Sequence, residues 1–473
     1  MKILAIDQGT TSTKAMLLDQ NGVGRIILTK THQQYYPKTN WVEHDPIELL
    51  DHITECIFLD KSIDAIGICN QGESCLAWNK LTGEPITPIL VWQDSRTEKI
   101  IENMKQNGAE KAVLELAGLP LVSYFSAAKF SWILENIPVA AGLLAQGNLC
   151  LGTTDAFFLH RLTGQFVTDI TTASRTSLMN LRTGKWDQIL CDLFAVPMQA
   201  LPEIRPSAGS FGSVNIDNRT VPIVVNIVDQ QAALYGHGCE QNGDTKITFG
   251  TGAFVLAIAG AEPVQIFSQK IVSTIAWQKH QQAPVFALEG GVYSAGAAVN
   301  WGRSIGLFSD YQQINSFDAR SAIENGLAFI PAFNGLASPY WDDDAAALFI
   351  GMGLSTNGQD MMQAILEGVA FRAKQVIVAM AKNMDICADI SVDGGLSKNP
   401  YFCQFLANIL NKTIIVYEST ELTAFGVLKL TSEQLQVDIC QPKIADKYLP
   451  NAEIDYDQLF DQAIEMSRHW NKQ

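Results

Sequence analysis

The hydrophobic and polar positions at the start of the chain form two short apolar runs around a polar loop. Residues 3–6 and 15–18 are apolar, and the loop between them carries one carboxylate, Asp7. This arrangement predicts a β-hairpin. Asn21-Gly22 then favours a tight turn into a third strand. The chain is therefore expected to open with a small sheet whose first loop is polar.

The same reasoning assigns elements along the rest of the chain. Residues 221–228 form the clearest strand, since they are apolar and β-branched as a strand buried on both faces should be. Shorter strands are predicted over residues 64–69, 88–92 and 390–392. Helices are predicted over 45–58, 98–135 with a break at 118–120, 155–162, 230–235, 360–384 and 397–411, with a small-residue helix start within 289–301.

The opening pattern returns in the middle of the chain. Residues 245–259 again read as strand, Gly-Thr-Gly loop and strand. A duplicated unit at the head of each half predicts two related domains that face each other, with a boundary near residues 236–244. Because Gly-Thr turns are frequent, chance similarity is the alternative.

The composition and the net charge limit which kind of protein this is and which partners it can bind. The 473 residues are 47% hydrophobic and 17% charged, which is typical of a well-packed protein of about two domains. The net charge of −16, without a basic run, argues against nucleic acid as a partner. Nine cysteines without C-x-x-C spacing indicate reduced thiols and a cytoplasmic location. No apolar run approaches the ~18 residues needed for membrane insertion.

The first loop has the chemistry of an anion site. Gly9 lets the backbone approach a ligand, and the neighbouring hydroxyls and N–H groups are donors for a phosphate. Lys14 adds a positive charge, and Asp7 could hold a Mg²⁺ ion that neutralises phosphate oxygens. An ordinary polar hairpin without a ligand is the alternative.

Two further strand ends carry candidate groups. Asp229 follows the buried strand 221–228, where partial burial would tune its pKa for accepting a proton from a hydroxyl; alternatively it caps the next helix. Asp393-Gly394-Gly395 permits close approach of a flat ring or a phosphate, or is a plain turn. The P-loop and Rossmann nucleotide motifs and the G-x-S-x-G hydrolase motif are absent from the sequence.

Taken in order along nearly the whole chain, these segments resemble the FGGY family of carbohydrate kinases, and within it the glycerol kinases. The segments that carry the resemblance are DQGTTSTK from Asp7, YPKTNWVEHDP from Tyr36, VWQDSRT from Val91, YFSAAKFSWILEN from Tyr124, TDITTASRTSLMNL from Thr168, DQQAALYG from Asp229, FGTGAF from Phe249, residues 351–367, and DGGLSKN from Asp393.

The resemblance implies an α/β fold of two actin-like, ribonuclease-H-like domains around a central cleft. Residues 1–238 would mainly bind the acceptor and carry the first phosphate loop, and residues 239–473 would mainly bind the nucleotide. The implied activity is ATP- and Mg²⁺-dependent phosphorylation of a terminal hydroxyl on a small polyol or sugar. We also expect a homo-oligomer, either a dimer or a tetramer.

The resemblance also implies roles for individual residues. Asp229 would be the catalytic base and Asp7 would help to hold Mg²⁺. The phosphates would contact Thr10, Thr11, Ser12, Lys14 and Thr251. The nucleotide would be bordered by Gly296, Asn300, Gly395 and Asn399. The acceptor would contact Glu73, Trp92, Tyr124, Asp229, Gln230 and Phe254, beside Gly72.

Gly72 departs from the glycerol-kinase pattern, in which an Arg precedes the Glu. Loss of that Arg removes up to two charge-assisted hydrogen bonds, each about 1.5–3 kcal/mol, and opens space. An erythritol, pentitol or pentulose kinase is therefore the alternative within the family. More remote alternatives are an inactive nucleotide-binding protein of the same fold and an actin- or chaperone-like ATPase. The inactive form would need a degraded Asp7 or Asp229, and the ATPase would leave the WQD and DQQ motifs unexplained.

Overall fold

The computed structural model describes residues 1–264, 271–317 and 320–470. The strands of the first half are β1 Ile3–Gln8, β2 Ser12–Leu18, β3 Gly24–Thr31, β4 Glu43–His44, β5 Ala65–Asn70, β6 Cys75–Asn79, β7 Ile89–Leu90, β8 Leu149–Thr153, β9 Val167–Asp169, β10 Met179–Asn180, β11 Lys185–Trp186, β12 Glu203–Arg205, β13 Ser213–Ile216 and β14 Arg219–Val228. Its helices are α1 Pro46–Leu59, α2 Glu98–Gln106, α3 Glu110–Ala117, α4 Ser126–Asn136, α5 Pro138–Ala145, α6 Thr154–Thr163, α7 Ile170–Ala173, α8 Gln188–Leu193 and α9 Asp229–Gly236.

The first half is built around a six-stranded sheet of order β13-β14-β5-β1-β2-β3. β1 and β2 are the predicted antiparallel hairpin, and β1, β5 and β14 run parallel to one another. In this register Asp7 lies opposite Cys69, and Asn70 lies opposite Val228. The carboxyl ends of the three parallel strands therefore meet at one edge, where open α/β sheets collect their ligands.

The second half repeats this plan. Its strands are β15 Thr245–Phe249, β16 Ala253–Gly260, β17 Val272–Trp277, β18 Val285–Val292, β19 Ala328–Ile330, β20 Leu348–Ile350, β21 Asp389–Gly394, β22 Thr413–Tyr417 and β23 Ile444–Tyr448. Its helices are α10 Gly296–Ser304, α11 Gly358–Ala381, α12 Pro400–Leu410, α13 Leu422–Gln434 and α14 Asp457–His469. The seven-stranded sheet has the order β17-β18-β16-β15-β21-β22-β23, with β15, β21 and β22 parallel and β15–β16 a hairpin.

The two sheets therefore share one pairing pattern. A hairpin (β1–β2 or β15–β16) supplies one strand to a parallel trio (β1-β5-β14 or β15-β21-β22), and an antiparallel strand closes the far edge (β13 or β23). This confirms the internal repeat and the α/β fold of two domains. Helices cover both sheets, with α1 packed on β1 and β2 and α11 packed on β16 and β18.

The helix α13 joins the two halves. Although it follows the second sheet in the sequence, it packs against α9, β1 and β5 of the first. Two glycines allow the helices to approach, since a Cβ on Gly426 would lie 1.8 Å from the Ala232 carbonyl oxygen and one on Gly236 would lie 2.0 Å from that of Leu422. The proposed boundary at residue 238 falls between α9 and β15, and residues 471–473 of the second domain lie outside the described residues.

Some elements differ from the sequence prediction. The strand expected over residues 88–92 is reduced to Ile89–Leu90 in a small four-stranded sheet. The helix expected over 98–135 is three helices, α2 to α4, and Gly118 ends α3 in the left-handed conformation at φ 73°. The helix start predicted within 289–301 is confirmed, since β18 ends at Val292 and α10 begins at Gly296.

The cysteines and the helices agree with two expectations from composition. All nine cysteines are free thiols. Within the described residues even α11, at 24 residues, lacks an apolar stretch long enough to cross a lipid bilayer.

Candidate active site

Two carboxylates converge at the carboxyl edge of the first sheet. Asp7 lies on β1, and Asp229 follows β14 as the first residue of α9. Between them, on β5, the Cys69 thiol donates to Asp7 Oδ1 at 3.3 Å. Burial raises the pKa of Asp7 to about 6. Burial, reinforced by the negative charges of Asp7 and Glu73, raises the pKa of Asp229 to about 8.

The position of Asp229 is fixed by buried polar groups beneath it. Val228 N–H donates to Thr171 Oγ1 at 2.9 Å, and Thr171 Oγ1 donates to Asp169 Oδ2 at 2.7 Å. The Asp229 carboxylate accepts from Gln230 N–H at 2.7 Å, at the start of α9. The N-cap residue of α9 is Val228 and no side chain caps this helix, so the interpretation of Asp229 as a helix cap was wrong. The Asp229 carboxylate instead lies close enough to Asp7 for its charge to act on it. A carboxylate with a raised pKa is a stronger base than an exposed one once it is deprotonated.

The first loop bends back on itself beside Asp7. Gly9 N–H donates to the Ser12 carbonyl oxygen at 3.0 Å, and the Thr11 side chain faces solvent. The Thr10 hydroxyl accepts from Trp92 Nε1 at 3.0 Å, which ties the loop to the acceptor residues. Lys14 Nζ lies 2.5 Å from Glu421 Oε2. A phosphate bound here would therefore share Lys14 with Glu421.

The residues assigned to the acceptor surround the same edge. The rings of Trp92 and Tyr124 lie with centroids 5.5 Å apart. Glu73 has a left-handed backbone at φ 58°, unusual for a non-glycine residue and typical of functional sites. Phe254 stands on β16 of the second sheet, where its ring lies within 3.7 Å of a Cβ built on Gly291.

Gly72 leaves little room for a larger residue. A Cβ at this position would lie 3.3 Å from Val228 Cγ1, which is a tight contact. Ser74 N–H donates to the Gly72 carbonyl oxygen at 2.6 Å, within the turn that presents Glu73. Any longer side chain at position 72 would have to leave the Val228 side and extend into the acceptor region.

Several side chains that the sequence analysis did not single out complete this edge. The Lys246 ammonium donates to Gln230 Oε1 at 2.7 Å and to Thr248 Oγ1 at 2.8 Å, so the second sheet contacts the start of α9 beside Asp229. The Lys129 ammonium donates to the Ser123 and Tyr124 carbonyl oxygens at 2.8 and 2.7 Å. Lys129 thereby fixes the backbone that carries Tyr124.

Arg175 is a third buried cation of this group. Its Nε donates to Glu73 Oε1 at 2.5 Å, and its Nη2 donates to Glu289 Oε1 at 2.9 Å. The three residues stand more than 100 positions apart in pairs, so sequence spacing gives no sign of their contact. The only signal was the position of Arg175 within TDITTASRTSLMNL, a segment that the sequence analysis used for family resemblance alone.

The residues assigned to the nucleotide lie at the edge of the second sheet. Gly296 begins α10, and its N–H donates to the Gly250 carbonyl oxygen at 3.0 Å; a Cβ there would lie 2.5 Å from that oxygen. The Thr251 carbonyl oxygen accepts from Ala295 N–H at 2.9 Å. The loop and the start of the helix therefore form one continuous backbone surface.

The other residues assigned to the nucleotide differ in the open space around them and in their hydrogen-bond partners. A Cβ on Gly395 would meet no atom within 4 Å, so open space lies above it. Asn300 is exposed and accepts from the Tyr311 hydroxyl at 3.0 Å. The Asn399 side chain accepts from Phe402 N–H at 2.8 Å and donates to the Ile314 carbonyl oxygen at 2.7 Å. Asn399 can therefore shape the wall of a nucleotide site, while its amide already has both partners.

The first edge fits a magnesium–nucleotide complex better than a metal ion held by protein alone. No group of three or more His, Cys, Asp or Glu side chains in the described part of the chain could hold a metal ion. Mg²⁺ commonly takes one or two carboxylates and completes its coordination with phosphate oxygens and water. The half-buried carboxylate of Asp7, whose pKa burial raises to about 6, supplies such a ligand.

Comparison with known proteins places the chain among carbohydrate kinases. Residues 2–236 match the model of the FGGY family of carbohydrate kinases, N-terminal domain, and residues 245–432 match the C-terminal domain of the same family. A glycerol kinase of Parabacteroides distasonis is 38% identical over 443 residues, which is 90% of this chain and 88% of that protein.

Solved structures agree with this family. The crystal structure of Plasmodium falciparum glycerol kinase with ADP aligns with a TM-score of 0.91 at 28% identity, covering 98% of each chain. A gluconate kinase from Lactobacillus acidophilus aligns with a TM-score of 0.87 at 23% identity, covering 98% of this chain and 97% of that one, and shares the fold.

Proposed function

Because the chain belongs to the FGGY family of carbohydrate kinases, we propose that it transfers the γ-phosphoryl group of ATP to a terminal hydroxyl of a small polyol or sugar. The observation that carries this proposal is the pair of carboxylates at the first edge. Asp229, with its pKa raised to about 8, stands beside Asp7 and opposite Lys246 of the second sheet. A base and a metal ligand at one carboxyl edge of a sheet are what phosphoryl transfer to an alcohol requires.

In the proposed reaction the acceptor oxygen forms a bond to the γ-phosphorus as the bond from that phosphorus to the β–γ bridging oxygen breaks. Asp229 takes the hydroxyl proton, and ADP leaves with the bridging oxygen. Asp7 would hold Mg²⁺, which when bound neutralises phosphate charge. Thr10, Thr11, Ser12 and Lys14 of the first loop and Thr251 of the second would contact the phosphates, and Gly296, Asn300, Gly395 and Asn399 would border the nucleotide.

The acceptor would lie between Trp92, Tyr124 and Phe254, with its hydroxyls near Glu73, Asp229 and Gln230. Two tilted aromatic rings suit the carbon face of a polyol, and the carboxylates suit its hydroxyls. Glycerol heads the proposed acceptors, because the relatives at 37–38% identity are glycerol kinases. Four-carbon polyols, pentitols and ketopentoses are the second candidate, favoured by Gly72.

A coupled assay of ADP release across glycerol, erythritol, xylitol and D-xylulose tests this proposal. We expect acceptor-dependent ADP formation with at least one of them in the presence of Mg²⁺. ADP formation that is independent of every acceptor would overturn the kinase assignment.

The variant Gly72→Arg tests the role of position 72 in the same assay. Restored charge-assisted hydrogen bonds should raise the preference for glycerol over the longer acceptors by about tenfold. An unchanged ranking of the four acceptors would show that position 72 does not select the acceptor. Thermal unfolding of the variant controls for strain against Val228.

We further propose the division into domains at residues 1–238 and 239–473, a cytoplasmic location and a homo-oligomeric enzyme, dimer or tetramer. Nine free thiols suit a reducing compartment. Light scattering of the purified protein would test the assembly, and a monomer across the working concentration range would contradict it.

A further inference from the structure

One buried cation joins the acceptor site to the opposite half of the molecule. The side chains of Arg175, Glu73 and Glu289 are only 3%, 5% and 8% exposed, respectively. Arg175 follows α7 in the first half, and Glu289 lies on β18 of the second sheet. The guanidinium contacts one carboxylate from each half.

The two carboxylates are held very differently. Glu289 is fixed within its sheet, paired with Leu256 of β16 on one side and with Val272 of β17 on the other. Glu73 lies in a turn with a strained, left-handed backbone, and its carbonyl oxygen accepts from the Ser126 hydroxyl at 2.8 Å. The rigid partner is therefore Glu289, and the residue whose side chain needs orienting is Glu73.

The surroundings of Arg175 are also an interface between the halves. The hydroxyls of Ser174 and Thr274 lie 3.1 Å apart, and Ser273 N–H donates to the Gly118 carbonyl oxygen at 3.2 Å. Movement of the second sheet relative to the first would therefore directly change the contacts of Arg175.

The guanidinium also keeps spare capacity for hydrogen bonding. Its Nη1 is buried without a hydrogen-bond partner among the residues that the structure describes. Buried donors with a purely structural role are nearly always paired. The flat guanidinium is further fixed by the ring of Phe125, whose centroid lies 5.4 Å from Cζ.

We propose that Arg175 is a positioning residue for the acceptor: it orients the Glu73 carboxylate and, through Glu289, makes that orientation depend on the approach of the two halves. This inference rests on the proposed function and deepens it. Acceptor recognition would then be weak in an open cleft and complete only when the second sheet, which carries the nucleotide loops, has closed on the first.

The test compares Glu289→Gln and Arg175→Lys with Arg372→Lys as the matched control. Arg372 is another fully buried arginine, which donates to the Ser338 carbonyl oxygen at 2.7 Å on the second half. Acceptor KM, kcat, ADP affinity by calorimetry and thermal unfolding would be measured for the full-length protein, with whichever of glycerol, erythritol, xylitol or D-xylulose the unmodified enzyme uses best.

We expect Arg175→Lys to raise the acceptor KM by roughly 10- to 100-fold, because an ammonium cannot bridge both carboxylates as the guanidinium fork does. Glu289→Gln keeps a hydrogen-bond acceptor but loses the charge, so its KM should rise by about 3- to 10-fold. ADP affinity should stay within about twofold in both. Arg372→Lys should lower the unfolding temperature without changing the acceptor KM.

Two results would overturn the inference while leaving the kinase assignment intact. One is an acceptor KM within about twofold of the unmodified enzyme in Glu289→Gln, which keeps the test valid should Arg175→Lys fail to fold. The other is a parallel loss of ADP affinity, which would indicate a general structural role. Absence of acceptor-dependent turnover in the unmodified enzyme would overturn the proposed function and this inference together.

Discussion

The carboxyl edges of the two sheets share one strand arrangement, but the pKa of a carboxylate is lowered at one edge and raised at the other. On the second sheet, Asp393 of β21 lies opposite Thr248 of β15, as Cys69 lies opposite Asp7 on the first. Burial acts to raise the pKa of Asp393, but His237, whose Nε2 lies 3.2 Å from Asp393 Oδ2, and the charge of Lys246 outweigh it and hold that pKa at about 2.

On the first sheet the balance is reversed. The charge of Lys246 acts on the Asp229 carboxylate as well, but burial with the negative charges of Asp7 and Glu73 outweighs it and raises the pKa of Asp229 to about 8. A carboxylate supplied with partners serves the structure, whereas one left short of positive charge awaits a ligand or a proton. The duplicated fold thus carries two edges with the same strand arrangement and different carboxylate chemistry, which we propose to serve the nucleotide and the phosphoryl transfer, respectively.

The largest effect expected from this contrast is on turnover. Asp229→Asn removes the base and should lower kcat by about 10³-fold or more, because general-base catalysis typically contributes about 10²- to 10⁴-fold and the amide cannot accept the proton. ADP affinity should stay within about threefold. Stopped assays of kcat, with calorimetry of ADP binding, would measure both.

The matched variant is Asp393→Asn. It should lower the unfolding temperature, since the buried Lys246 ammonium loses a counter-charge and His237 Nε2 loses the carboxylate 3.2 Å away, while kcat falls at least tenfold less than in Asp229→Asn. Equal losses of kcat in the two variants would contradict the proposal that only the first edge carries the catalytic base.

The next effect isolates the second edge. Gly296→Ala places a Cβ 2.5 Å from the Gly250 carbonyl oxygen and should disturb the loop proposed to border the nucleotide. We expect ADP affinity to fall by about 10- to 100-fold, because the loop and α10 can no longer approach. The control is Gly142→Ala on α5, where a Cβ meets no atom within 4 Å, and ADP affinity should not change. Unaltered ADP binding in Gly296→Ala would remove this loop from the nucleotide site.

The pH dependence of turnover sharpens the same comparison. A base acts only when deprotonated, so activity is present above the pKa of Asp229 and is lost as pH falls below about 8. With both substrates well below KM, kcat/KM should fall by about tenfold per pH unit below that point. A flat profile between pH 6 and pH 8 would contradict the raised pKa. Asp393, already ionised, contributes nothing in this range.

The smallest expected effect comes from the hydrogen bond between the first loop and Trp92, one of the residues assigned to the acceptor. Trp92→Phe keeps an aromatic ring but loses the hydrogen bond from Trp92 Nε1 to Thr10 Oγ1. One neutral hydrogen bond contributes about 0.5–1.5 kcal/mol, so acceptor KM should rise by about 3- to 10-fold. Initial-rate assays would measure this, and a KM change of under twofold would place the indole nitrogen outside acceptor binding.

Sequence reasoning succeeded where function follows from local pattern. The apolar runs at residues 3–6 and 221–228 are strands, and the acid that follows each lies at the shared carboxyl edge. Periodicity fixes a strand, and the residue after it inherits a position in the sheet. The repeat beginning at residue 245 was confirmed for the same reason, and the match to both FGGY domains confirmed the family membership.

The remaining features depend on contacts between distant parts of the chain. Arg175 meets Glu289 at a separation of 114 residues, and Lys14 meets Glu421 at a separation of 407. Nothing in the local sequence of Glu73 indicates its positive φ. The packing of α13 on the first sheet likewise could not be predicted by interpreting the sequence one segment at a time.

The most direct test of the central claim is ³¹P NMR of the unmodified protein with ATP, Mg²⁺ and the acceptor that supports the fastest ADP release. The proposed reaction predicts a new phosphomonoester resonance, coupled to the protons of a terminal carbon of the acceptor, that grows in equal amount with ADP. Growth of inorganic phosphate and ADP alone would show that the cleft hydrolyses ATP, and would contradict the assignment of the first edge to phosphoryl transfer.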